Sequence, residues 1–311
     1  TWNLGQRHYL LLPLIALAYI FLTYSILEEE TFAGLYYASR IIFWILGTFF
    51  VYRMLLMKYL THVHINCVIY IITIIYIVSI AYLMLNTNLA FRQNISIYTL
   101  LWCIPLLMMT ESSMLKKMIL TLAYVSILLS FKRGAMLALI FSTFIYILIY
   151  FLINISIKSL TKSLLLFVSL LLITLISLYI VYEIRPEYFE KRPSDIVNED
   201  QALGSGRAEV YPYILNDYIS SINSSPHNFF FGFGSRSVEK ITGGMYAHSD
   251  WLQIVHAYGL LGFSILSWIH INILILIYRG IKHRFKYAPA LGMTYSIFFL
   301  VNLYSGQIFS P

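Results

Sequence analysis

Four short stretches hold the residues best suited to chemistry. Lys132-Arg133 interrupts an apolar region, in Ser130-Phe131-Lys132-Arg133-Gly134-Ala135. Cations at membrane depth are costly and are usually retained to bind something; a pair snorkelling to headgroup level is the competing reading. Arg207 follows Gly204-Ser205-Gly206, where glycine lets backbone approach an anionic ligand closely. Phe229 to Ser235 reads as an aromatic turn with two permissive glycines, Gly232 and Gly234. His248 is followed by Ser249 and Asp250. An arginine presents a planar, permanently charged fork that matches phosphate oxygens, so Arg133 and Arg207, with Lys132 nearby, could hold a diphosphate. Histidine accepts a proton near neutral pH, which makes His248 a candidate base. Together these parts suit glycosyl or phosphoryl transfer. No metal-ligand spacing occurs, so metal-independent chemistry is expected.

Each residue also has a plainer role. A loop arginine is commonly a solvated charge or a headgroup contact. A histidine at a helix start is commonly a cap, Asp250 would complement the helix dipole, and Trp251 would anchor at the interface. His256 lies two turns beyond His248, near enough to support it without touching substrate.

The elements that must position these residues are membrane helices. The chain of 311 residues is 59% hydrophobic and only 11% charged, with mean hydropathy +0.76. Soluble domains carry about 25% charged residues. Apolar runs approach or exceed the roughly 20 residues needed to cross a bilayer. They predict about nine spans: His8–Leu27, Ala33–Tyr52, Ile65–Leu85, Ile95–Met109, Lys117–Ser130, Gly134–Ile153, Leu160–Tyr182, Ala257–Tyr278 and Ala288–Ile308. The fourth and fifth are short, and tilted, broken or re-entrant forms are all open. Cys67 and Cys103 fall inside apolar runs and are expected to be packing residues. The chain starts at Thr1 and stops at Pro311 directly after an apolar run, so further helices are expected beyond both ends. The net charge of +7 reads as cytoplasmic anchoring rather than a nucleic-acid footprint, because no basic stripe interleaves with stacking aromatics.

Charge bias sets the orientation. With the amino terminus inside, the cytoplasmic breaks carry Arg7, Arg53 and Lys58, Lys116 and Lys117, Lys158 and Lys162, and Arg279, Lys282, Arg284 and Lys286. The expected fold is therefore an all-α, polytopic transmembrane bundle, a single membrane domain over 1–311 with one large extracytoplasmic loop over 183–247. Glu183 to Asp200 reads as solvated and irregular. After Arg207, the spacing of Val210, Ile214 and Tyr218, with Leu215 and Ile219 beside them, predicts an amphipathic helix on the outer leaflet or over a cavity. Pro212 fits such a helix only near its first turn.

These stretches, in order, resemble the O-antigen polymerase and O-antigen ligase superfamily of bacterial envelope glycan enzymes. Ser130 to Ala135 is similar to that family's Ser-Arg-Gly-Ala segment at the outer start of a span, with Lys132 where serine is more usual. Gly204-Ser205-Gly206-Arg207 with its amphipathic stretch, and Phe231-Gly232-Phe233-Gly234-Ser235, resemble the family's loop features. His248 to Gly262 resembles its His-Asn-x-x-Leu segment and the following Gly-x-x-Gly; here Ser249-Asp250 stands where asparagine is common, which leans toward chain polymerases over the lipid A-core ligase. The motif resemblance covers Ser130 to Trp268.

The resemblance implies a fold similar to the C-type glycosyltransferases and a site on the outer face of the bacterial inner membrane. It also implies an undecaprenyl-diphosphate-linked oligosaccharide donor, a glycan acceptor and no cofactor. Arg133 and Arg207 would bind the diphosphate, with Lys132 beside them, and His248 would take the acceptor proton in an inverting displacement. Asp250, Gly206 and Gly234 would support the site or contact the acceptor. Membrane lipids, a chain-length regulator and a flippase are the expected partners, and nucleic acid is not. Two alternatives stay open: a ligase delivering glycan to lipid A-core or protein, and a lipid-linked sugar transporter. The chain shows no related halves of the kind many transporters have.

Overall fold

The computed structural model describes residues 61–85, 94–111, 113–130, 132–154, 207–234, 237–243 and 249–304, with scattered positions over 12–57 and 161–183. The described residues are helical, with no strand among them. We label α1 (His62–Leu85), α2 (Asn94–Met109), α3 (Met114–Leu129), α4 (Arg133–Asn154), α5 (Arg207–Ser224), α6 (Pro226–Phe231), α7 (Ser237–Ile241), α8 (Asp250–Lys282) and α9 (Ala288–Tyr304). The expected spans His8–Leu27, Ala33–Tyr52 and Leu160–Tyr182 lie largely outside the described residues, as does the charged stretch that follows Glu183.

Among the described residues, three helices are long and apolar enough to cross a membrane: α1, α4 and α8. The surface of α1 shows why a bilayer is its natural solvent. Val63, Val68, Ile71, Ile75, Val78 and Tyr82 are all exposed, whereas a water-solvated helix would keep charges there. Cys67, expected to pack inside, is on this exposed surface, while Cys103 is buried. Polar side chains in these helices satisfy themselves locally, as hydrocarbon requires. The Thr73 hydroxyl donates to the Ile69 carbonyl at 2.6 Å, Thr143 to Leu139 at 2.7 Å and Ser296 to Gly292 at 2.8 Å.

Two compact units divide the chain. One comprises 60–194 and 277–301. There α1 packs on α2 and α3, and α2 and α3 pack on each other and on α4. Its core joins Ile97, Leu101 and Ile104 of α2, Ile127 of α3, Leu139 of α4 and Ile297 of α9. The short helices are bounded by explicit devices. Ser113 caps α3, its hydroxyl accepting from the Lys116 N–H at 3.0 Å. The Lys116 ammonium then turns back on the end of α2, donating to the carbonyls of Met108 at 3.1 Å and Thr110 at 2.6 Å. A cation there meets the negative end of the helix dipole. Partial burial, with the Lys286 ammonium a second cause, holds Lys116 below the usual lysine range.

The other unit comprises 1–59, 195–276 and 302–311. Leu17 and Ile20 pack with Ile254, Tyr258 and Leu266 of α8, and a smaller core joins Ile214 of α5 to Val238 of α7. The helix α8 is not continuous: Gly259 has φ 61° and ψ −156°, outside helical geometry. The portion after this break is about 34 Å long at 1.5 Å per residue, enough by itself to cross a bilayer.

The expected amphipathic helix is α5, and its inward face is Ile214, Tyr218 and Ser221. Leu215 and Ile219 instead lie exposed, with Tyr213 and Ile222. Pro212 is the sixth residue of the helix and not in its first turn, so α5 forgoes one backbone bond there. The aromatic segment also differs from expectation. Phe229, Phe230 and Phe231 belong to α6, with Pro226 in its first turn, and the turn begins only at Gly232.

Candidate functional site

The basic pair sits where α3 gives way to α4. The Ser130 hydroxyl donates to the Ile127 carbonyl at 2.6 Å and accepts from the Lys132 N–H at 3.4 Å. The Lys132 carbonyl accepts the Met136 N–H at 2.9 Å, so Lys132 leads directly into the first turn of α4 and Arg133 is its first residue. Lys132 is half-buried; the Arg133 side chain lies outside the described structure. The small residues that follow have a packing reason. A Cβ on Gly134 would stand 2.8 Å from the Tyr98 hydroxyl of α2, and Ala135 is fully buried. The sequence Arg-Gly-Ala thus lets the beginning of α4 press against α2. Cations at this end gain nothing from the helix dipole; they add to its positive pole, an arrangement that suits an anion.

Arg207 is likewise the first residue of its helix, α5. Its side chain, Gly206 and His248 lie outside the described structure. Asp250 is the first residue of α8 and fully buried, and Ser249 before it is buried too. An acid in that position complements the dipole.

From α5 the chain reverses into α6. The Tyr218 hydroxyl donates to the Phe229 carbonyl at 2.8 Å, and the two rings stack with centroids 5.3 Å apart. After α6 the backbone turns at Gly232, φ 84°. A Cβ on Gly232 would collide with the Ala257 carbonyl, and one on Gly259 would lie 2.6 Å from the backbone of both Phe230 and Gly232. Two backbones therefore meet where only hydrogen fits between them: Gly232 is required by the backbone of Ala257 and Tyr258, and Gly259 by that of Phe230 and Gly232. The turn then supplies donors to α8: Phe233 N–H to the His256 carbonyl and Gly234 N–H to the Ala257 carbonyl, both 2.9 Å. These carbonyls belong to the last helical turn before the Gly259 break, where helix acceptors need outside partners.

His256 stands at the centre of this arrangement. Its Nδ1 lies 2.7 Å from the Ser237 hydroxyl of α7, and its Nε2 lies 2.9 Å from an Asp217 carboxylate oxygen of α5. Its ring stacks on Phe233, centroids 4.7 Å apart and 17° from parallel. Beside it, buried Glu239 of α7 receives the Gln253 amide at 3.4 and 3.5 Å. Trp251 stacks on His270 with centroids 4.7 Å apart.

Three of the four sequence stretches therefore meet within one unit: the helix opened by Arg207, the glycine turn, and the segment after His248. Lys132 and Arg133 belong to the other unit. Asp217 and Ser237 escaped the sequence reading. Their signal was present for Asp217 alone, an acid in helical register with Ile214 and Ser221 on the inward face of an amphipathic helix. Compared with protein-family models, curated proteins and solved structures, the chain finds no match.

Proposed function

We propose that this chain is a metal-independent glycosyltransferase that polymerises polyprenyl-diphosphate-linked oligosaccharide repeat units at the outer face of a bacterial inner membrane. The observation that carries the reading is the coupling of the second, third and fourth motif stretches. Each is weak alone, yet the Gly232–Gly234 turn hydrogen-bonds the backbone of His256 and Ala257, and Asp217 of the Arg207 helix bonds the His256 ring. Elements that carry or adjoin three of the motif stretches are here hydrogen-bonded to one another. Arg133 and Arg207 each open a helix, so each can add a guanidinium fork to backbone N–H groups on a diphosphate.

In this reading His248 takes the proton from an acceptor sugar hydroxyl as the oxygen attacks the anomeric carbon of the donor. The bond from that carbon to the diphosphate oxygen breaks, polyprenyl diphosphate leaves, and the anomeric centre inverts. The arginines act on the charge that grows on the leaving group, an interaction stronger in the transition state than before it. His248→Ala and Arg207→Ala in the native host test the reading by a glycan ladder on a gel, with protein amount checked. Both variants are expected to lose long chains while single repeat units persist. Loss of single repeats as well would point to a ligase, and a near-normal ladder from either variant would remove that residue from the site.

A further inference from the structure

His256 has a geometry that the proposed chemistry does not use. It is 1% exposed, and both ring nitrogens are taken, by side chains from two different helices. Carboxylate oxygens only accept, so Nε2 carries a hydrogen toward Asp217. In the neutral ring Nδ1 then has a lone pair, and the Ser237 hydroxyl donates to it; in the charged ring both nitrogens donate, and Ser237 accepts. The links hold in either state. The charged groups facing the ring are Asp217 from α5, its side chain 37% exposed, and Glu239 from α7. Ser237, by contrast, is 4% exposed, and that burial shuts its hydroxyl off from a substrate.

We infer that His256 is a positioning residue: held on α7 by Ser237, it fixes through Asp217 where α5, and so Arg207 at its start, stands relative to α8, whose first turn follows His248. This rests on the proposed transfer, because it gives the clasp its purpose. The partners come from elements far apart in sequence, 39 and 19 residues from His256. Asp217 lies about 15 Å along α5 from Arg207 at 1.5 Å per residue, so a tilt released at the clasp moves the arginine. Misplacement of a contact by about 1 Å can cost on the order of 100-fold in rate.

The experiment has two arms on purified protein in detergent. The first is amide hydrogen exchange, which needs no activity. Asp217→Ala and His256→Ala are expected to speed exchange over 207–224 by about tenfold while leaving 260–282 unchanged; unchanged exchange over 207–224 overturns the clasp. The second is transfer kinetics with polyprenyl-diphosphate-linked repeat units extracted from the host. Asp217→Ala is expected to lower kcat for this donor at least about tenfold with KM within about threefold, because the displaced Arg207 acts on the leaving group in the transition state. Asp217→Asn, which keeps an acceptor for Nε2, is expected to stay within about threefold of the parent in both. Asn as damaging as Ala would mean proton chemistry at His256, and an unchanged kcat in Asp217→Ala would mean that Arg207 does not move; either overturns the positioning role. Arg207→Ala serves as the control for the proposed function. Undiminished transfer in that variant would remove Arg207 from the site; no transfer by the parent protein, with exchange still raised by Asp217→Ala, would sink the transfer assignment and leave the clasp standing.

Discussion

A methyl group is the sharpest probe of the site at the scale of single residues. Gly259, at φ 61° and ψ −156°, lies in a region open essentially to glycine alone, and Gly243 has φ 69°, so alanine is strained at both. Their surroundings differ. Nothing lies within 4 Å of a Cβ on Gly243, whereas on Gly259 it meets the backbone of Phe230 and Gly232 at 2.6 Å. Backbone has no rotamer with which to move aside. Gly243→Ala is therefore expected to lower the apparent melting temperature by a few degrees at most, and Gly259→Ala to abolish accumulation of folded protein, read by fluorescence-detected size exclusion. Equal effects would mean that the Gly232–Gly259 approach is not tight in solution.

At the scale of elements, the ends of the short helices matter most. The reach of Lys116 to the Met108 and Thr110 carbonyls ties α3 to the end of α2 through charge-assisted bonds. Lys116→Met keeps the stem and removes the bonds, and is expected to cost about 1 kcal/mol, seen as a lowered midpoint in thermal unfolding. Lys117 makes the control, since it is exposed one position further along α3. Lys117→Met should leave the midpoint unchanged. The Ser113 hydroxyl caps the other side of the same junction, and Ser113→Ala should cost a similar amount, about 1 kcal/mol.

The whole molecule is expected to behave as an integral membrane protein, remaining in the pellet after alkaline carbonate washing of membranes. A cysteine at Ser220, on the exposed face of α5, is expected to react with a membrane-impermeant maleimide in intact cells once Cys67 and Cys103 are replaced. A cysteine at Lys282, ending α8, should react only after permeabilisation. The reverse pattern would overturn the orientation.

The expected spans Ile65–Leu85, Ile95–Met109, Lys117–Ser130, Gly134–Ile153 and Ala288–Ile308 meet helices that start or stop within a few residues of them. Apolar run length is a local property, which is why it could be read. The inward face of α5 was legible for the same reason: its 3.6-residue period is written along the chain. The break at Gly259 was not, because a glycine in an apolar helix is ambiguous until its tertiary neighbour, Gly232, is known. Nor was the bond between Asp217 and His256, whose residues are 39 apart. No local pattern encodes a pairing over that distance.

Chain order gives the contact between Gly232 and Gly259 a direction in time. The glycine turn precedes α8 in the chain, so the N–H groups of Phe233 and Gly234 are made before the carbonyls of His256 and Ala257 that they bond, and the turn can serve as a template for the bend. An α8 that continued straight through Gly259 would run about 50 Å at 1.5 Å per residue, longer than a bilayer core is thick. Lesions in the glycine turn should therefore surface in the cell as insertion faults cleared by membrane proteases, at a stage when no enzyme yet exists to be slow.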